Sequence, residues 1–361
     1  MYSLYATDRA LDTIMIGTSN PNWRAVLQRQ KYIIVDKDDT AVLQEVAEDG
    51  SLYNILSQDY DITIKGDPLL FKKIRNDNKQ IQNYPLSFFL GIFPQKEAEY
   101  IQNHYGVICL SDDIIDDNNA IFCLNSNKRV VEGEGKPKIS WNKLLSKVSK
   151  IPSSGLIIID RNLFTNGGNW NETHNRLSLH GINNIRDILI ELLPETFDGF
   201  YQVLIITDER TLDDKNYNLD DVCQQLTRIY MNHKLRSYDI SFEIVSFKDK
   251  DAMHYKESHN RRVISNYFMM APEHKVSVFD FKNKATITEY FPIKSAFGEG
   301  LDDDSDCPED EIDYTLSWIK DIDNSNENGK SHFSYSKDGQ SLSDFKQLEN
   351  RLVKNFHKNE E

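Results

Sequence analysis

The tripeptide His-Asn-Arg occurs twice in the chain, as His174-Asn175-Arg176 and as His259-Asn260-Arg261, although there are nine histidines in all. An arginine offers a planar fork that matches phosphate oxygens. A neighbouring imidazole can attack phosphorus or move a proton near neutral pH. Arg262 extends the cationic end of the second triplet. These residue types therefore suit phosphate chemistry. Acids supply a second constellation. Asp160 closes the apolar run Leu156 to Ile159, and Asp208-Glu209 follow the run Tyr201 to Thr207. Carboxylates at neighbouring strand ends can hold Mg²⁺ or act as a general base. Each constellation also has a plain structural reading. Polar residues mark where strands meet solvent, and a His-Arg pair can serve local carbonyls and carboxylates.

The runs around these residues fix the elements that must position them. Leu156 to Asp160, Tyr201 to Thr207 and Ile240 to Phe247 are continuous apolar runs, the pattern of strands buried on both faces. Between them, Ile182 to Leu193 and Leu219 to Tyr230 carry apolar residues at helical spacing. Strand and helix alternating in this way predict a parallel sheet with right-handed crossovers. In such sheets ligands bind outside the carboxyl ends of the strands, where Asp160 and Asp208 are expected. Three later runs, 262–270, 276–281 and 285–291, predict an antiparallel extension. The loop between Arg161 and Gly181 is long enough to cover the acidic edge, though an ordinary insertion explains it as well.

The segment from His259-Asn260-Arg261 through Arg262-Val263-Ile264-Ser265-Asn266 resembles the HxKxxxxD signature of the phospholipase-D-like superfamily. The resemblance spans residues 155–290 and is nearest to degenerate members in which such a triplet opens a strand. It implies His259 as nucleophile or acid and Arg261 as phosphate ligand. Arg261 stands where that family has Lys, and Asn266 where it has Asp. Acids also follow apolar runs near the N-terminus, at Asp36, Asp38, Asp39, Asp112 and Asp113. They lack the Glu and DxD of a Toprim-type metal site and read as solvated strand ends.

The net charge of −15 argues against whole-surface electrostatic binding of nucleic acid or anionic lipid, while leaving room for a local basic patch. The longest apolar stretch, Pro85 to Phe93, is far short of the ~20 residues of a spanning helix. Four cysteines without CxxC spacing, and the absence of a leader pattern, suit a reducing cytoplasm. Richness in Asn, Ile, Lys, Asp and Tyr favours a bacterial source.

We expect an α/β protein: a smaller mixed α/β domain over 1–130, a linker over 131–139, and a Rossmann-like or phospholipase-D-like domain over 140–298 with a parallel core and antiparallel extension. Residues 299–361 should form an acidic segment, a flexible linker over 323–340 and a final helix. The stripe Leu342, Phe345, Leu348, Leu352 and Phe356 on that helix should dock on the body or on a partner protein. The expected function is non-catalytic recognition of a phosphate, on a nucleotide or nucleic-acid end, within a larger bacterial assembly; phage defence would suit it. The alternative is a phosphodiesterase or nuclease. In it His259 and His174 do the chemistry, Arg261, Arg176 and Arg262 bind phosphate, and Asp160, Asp208 and Glu209 hold Mg²⁺.

Overall fold

A computed structural model describes residues 2–16, 29–56, 62–115, 125–130, 141–164 without 147, 179–208, 235–247, 260–272, 289–296, 308–324, 331–337, 340–343 and 348–356, with isolated positions between. Two sheets organise the chain. The first has five parallel strands in the order β3-β2-β1-β4-β5: β1 Ser3–Ala6, β2 Tyr32–Val35, β3 Thr63–Gly66, β4 Ser87–Leu90 and β5 Ile108–Leu110. The order reverses between β1 and β4.

Side chains alternate across this sheet, as the period of two in a strand requires. Leu4, Ala6, Phe88, Leu90, Ile108 and Leu110 face one apolar core. Tyr5, Phe89 and Cys109 face another, filled by Phe71 and Ile74 of α4 (Pro68–Asn76) and Ala98, Ile101 and Tyr105 of α5 (Gln95–Tyr105). Preceding these are α1 (Asp8–Ile16), α2 (Asp39–Ala47) and α3 (Ser51–Leu56). Asp67 accepts a hydrogen bond from the Leu70 amide at 2.9 Å, and Pro68 sits at the first helical position. These two residues start α4 as the sequence predicts.

The second sheet has nine strands, in the order β14-β13-β9-β8-β7-β10-β11-β12-β6. Its centre is parallel: β7 Gly155–Ile159, β8 Tyr201–Asp208 and β9 Ile240–Phe247. Every residue of β7 is buried. Beyond β7 the antiparallel extension runs through β10 Arg262–Ser265, β11 Phe268–Met270, β12 Glu289–Ser295 and β6 Asn125–Val130. Beyond β9 come β13 Ser331–Lys337 and β14 Gln340–Ser343, also antiparallel. Helices α6 (Trp141–Leu145), α7 (Leu179–Leu192), α8 (Pro308–Asn324) and the single turn α9 (Arg351–Lys354) accompany it.

Several segment boundaries differ from the sequence reading. The run 262–270 is two strands, because Asn266 and Tyr267 turn the chain between β10 and β11. The stretch assigned to a flexible linker contains β13, whose backbone groups pair with β9. The last helix is confined to Arg351–Lys354. Leu342 lies in β14, and Phe345 lies outside the described residues. Leu348, Leu352 and Phe356 are buried in the chain's own core, so that part of the stripe is covered internally. Strand β6, placed by sequence in the first domain, completes an edge of the second sheet. The linker 131–139 lies outside the described residues.

One apolar cluster runs from the first sheet into the second. Polar bonds lock the junction. Tyr2 donates its hydroxyl to the Asn266 carbonyl at 2.5 Å, and Tyr267 donates to the Ser87 carbonyl at 2.6 Å. The Ile108 amide donates to the Tyr267 hydroxyl at 3.0 Å. Gly106 ends α5 with φ +65°, and a Cβ there would lie 2.0 Å from the Ser153 carbonyl oxygen. Gly106→Ala therefore meets both a left-handed backbone and the second sheet. Strain of this kind costs about 1–3 kcal/mol. We expect a correspondingly lower midpoint in denaturant unfolding, and an unchanged midpoint would refute the close packing.

Candidate functional site

Two of the residues that the sequence singles out, Asp160 and Arg261, meet at the carboxyl edge of β7. Asp160 follows β7 directly, and its amide donates to the Ile206 carbonyl at 3.1 Å, extending the ladder one residue. Its side chain is 1% exposed. One carboxylate oxygen accepts from the Asn162 amide at 2.8 Å, the other from the Val276 amide at 2.8 Å. The Asp160 carboxylate therefore ties the turn after β7 to a residue far along the chain.

Antiparallel register brings the second triplet to the same place. Arg262 pairs with Ile159, so Arg261 falls level with Asp160. The Arg261 Nε lies 3.8 Å from Asp160 Oδ1, with the arginine side chain 17% exposed. The sequence alone left open whether the acidic edge and this triplet meet; at Arg261 they do. Arg262 points to a different partner. Its Nη2 and Nε donate to Glu311 Oε1 at 2.6 and 3.2 Å. Glu311 lies in the acidic first turn of α8, where negative charge also complements the helix dipole. Sequence reasoning saw the acids of this turn but could not see that one of them engages Arg262. Nothing in the spacing of positions 262 and 311 encodes that pairing.

Asp208 closes β8 beside Phe247 of β9. Parallel register sets Ile159 against Ile206, so Asp208 stands one residue beyond the level of Asp160. His174, Arg176, Glu209 and His259 lie outside the described residues. Among the described residues no group of three or more His, Cys, Asp or Glu is placed to hold a metal ion. Asp160 differs from an open metal ligand in a specific way: each of its oxygens already receives a backbone amide.

The acids at the edge of the first sheet are similarly engaged. Asp38 caps α2 through the Ala41 amide at 2.9 Å, and Asp39 accepts from the Gly66 amide at 2.9 Å. Asp36 pairs with Arg75 at 2.7 Å, and Asp112 and Asp113 pair with Arg9 at 3.8 and 3.5 Å. Burial pushes the Asp112 carboxyl upward, against the opposing pull of Arg9. Asp8, the first residue of α1, pairs with Lys37 at 2.8 Å, and Glu45 shares that lysine.

Among the described residues no helix is long and apolar enough to cross a membrane. No protein-family model and no curated protein matches the chain.

Proposed function

We propose that the chain is a binding component that recognises a phosphoryl group, on a nucleotide or a nucleic-acid end, at the carboxyl edge of the nine-stranded sheet. The observation that carries this reading is Arg261 beside Asp160 at that edge. A carboxylate fixed by two backbone amides anchors the arginine at this edge, and a guanidinium there is the side chain whose planar fork matches phosphate oxygens. The same engagement makes Asp160 a poor general base, which favours recognition over turnover. The fold-level rule that ligands bind at the carboxyl ends of parallel strands supports the location, not the chemistry. Leu348, Leu352 and Phe356 no longer support an external partner, since the chain covers them itself.

The test is a titration of the chain with mononucleotides and with 5′-phosphorylated and unphosphorylated oligonucleotides, followed by fluorescence anisotropy. Losing charge-assisted hydrogen bonds of about 1.5–3 kcal/mol predicts roughly 10- to 100-fold weaker binding in Arg261→Gln. Equal binding in the variant, or indifference to the phosphate, would sink the reading. The alternative makes the chain a phosphodiesterase or nuclease through His259, with His174, Arg176 and Mg²⁺. Hydrolysis of a diester by the wild type, lost in His259→Ala, would establish it instead.

A further inference from the structure

A second arginine stands at the opposite, amino edge of the same sheet, in an unusual electrostatic position. Arg351 opens α9, and its amide is held by the Gln202 Oε1 at 2.7 Å. The preceding Asn350 bonds the Leu156 and Gln202 carbonyls through Nδ2 and caps the Leu352 amide at 3.1 Å. Leu352 and Val353 are buried, and a Cβ on Gly155 would lie 3.3 Å from the Leu352 Cγ. The backbone carrying Arg351 is therefore pinned onto the starts of β7 and β8. Its guanidinium carbon lies 5.2 Å from the centre of the Phe197 ring. Phe197 in turn packs edge-on against Tyr201.

No carboxylate among the described residues lies within ion-pairing distance of Arg351, and its Nη1 is sealed from solvent without a hydrogen-bond partner. Arg236, on the same side of the sheet, makes the contrast. It spends its donors on the carbonyls of Ile190, Leu193 and Pro194 at the end of α7. Arginine stays charged where a lysine would give up its proton. A cation taken out of water without a counter-charge is costly, and stacking on one aromatic ring offsets only part of that. Burial pushes the Arg351 guanidinium down to about 10, the direction expected of a desolvated cation. The residue as a whole is only half-buried, although Nη1 itself is sealed from solvent.

We infer that Arg351, stacked on Phe197, forms an anion-binding site for a small oxyanion, distinct from the Asp160–Arg261 edge. The ligand class follows from the donor. A planar fork with one face against a ring presents its N–H edge to two coplanar oxygens. Carboxylates and phosphate monoesters share that feature, and only a titration separates them.

The experiment follows thermal unfolding of the full chain in inorganic phosphate, acetate or chloride at constant ionic strength. Arg351→Met, Arg351→Lys and Arg261→Gln are run beside the wild type. Whichever oxyanion binds should raise the wild-type midpoint by about 2 °C once it exceeds its Kd several-fold. Arg261→Gln should keep the acetate response whole, and Arg351→Met should lose it. If the ligand is phosphate, each variant should lose its own share of the phosphate response. Arg351→Met should fold at least as well without ligand, since it removes an unpaired charge. Arg351→Lys keeps the charge without the fork and should respond about tenfold more weakly. An identical response in the wild type and both Arg351 variants would overturn the proposal, as would a midpoint indifferent to both oxyanions.

Discussion

Asn266→Asp should destabilise the protein by about 3–5 kcal/mol at neutral pH, although it restores the acid of the signature that the segment resembles. Asn266 is fully buried in the turn between β10 and β11. Its Nδ2 donates to the Pro85 carbonyl at 2.5 Å, the Ser154 hydroxyl at 2.8 Å and the Gly106 carbonyl at 3.3 Å. Its Oδ1 accepts from the Ser154 amide at 2.8 Å. A carboxylate keeps the last of these and can accept from the Ser154 hydroxyl once it rotates, but loses both carbonyl partners. It would also set negative charge against two carbonyl oxygens in a fully buried site. Burying a charge without its donors is among the few single changes that exceed 3 kcal/mol. Because Pro85 and Gly106 lead into β4 and β5 of the first sheet and Ser154 leads into β7 of the second, the damage falls on the junction. The check is equilibrium unfolding in guanidinium chloride, with acid pH partly rescuing the variant by protonating the new carboxyl. A stability within about 0.5 kcal/mol of wild type would mean that the amide donors are not what holds this turn.

Raising the pH from 5 to 8 should itself weaken the fold through Glu309. This residue is 9% exposed at the start of α8. Its Oε1 lies 3.3 Å from the Arg29 Nε, while the buried Oε2 finds no donor among the described residues. One turn on, Asp313 also has a buried oxygen without a donor. Burial raises the Glu309 carboxyl from 4.5 to about 7, outweighing the pull of its own backbone amide and of Arg29, and Asp310 adds to the rise. The folded state therefore holds this proton more tightly than the unfolded chain. Its stabilisation is complete below about pH 4.5 and is lost as pH climbs through 7. At 1.36 kcal/mol per unit the loss is on the order of 2–3 kcal/mol. Glu309→Gln, a permanent neutral mimic, should flatten that part of the profile and be more stable than wild type at pH 8. Parallel profiles for the two proteins would show that Glu309 does not titrate in this window. The site matters beyond its own helix. Burial, then Tyr267, and to a lesser degree Glu309 and Asp313, hold the Tyr2 phenol well above its usual range, so it stays protonated to donate across the junction.

How much of this was legible in the sequence depends on the range of the interaction that decides it. The strands β7, β8 and β9, the start of α4 and the span of α7 are written locally, in apolar runs, a cap and a helical period. The α/β class and the antiparallel extension follow from their order. The two central strands of the first sheet, β1 and β4, went unassigned. Each has four residues, too short for a period to separate strand from buried helix. Their neighbours confirm them only through register.

The candidate site divides along the same line. Asp160 was found because it ends a run, and Arg261 because its tripeptide repeats. Their meeting needed the antiparallel pairing of β10 on β7, about a hundred residues apart in sequence. The tail misled for a related reason. Leu342 to Phe356 has helical spacing, yet β14 finds its hydrogen bonds on β13, and Asn350 fixes the chain ahead of a single turn. Short-range pattern states what a segment prefers. Backbone groups that must be paired once buried decide what it becomes, and only the tertiary structure supplies those partners. The guanidinium of Arg351, without a carboxylate partner among the described residues, belongs wholly to that second category. Its residue type is ordinary in the sequence, and its isolation exists only where α9 meets the sheet.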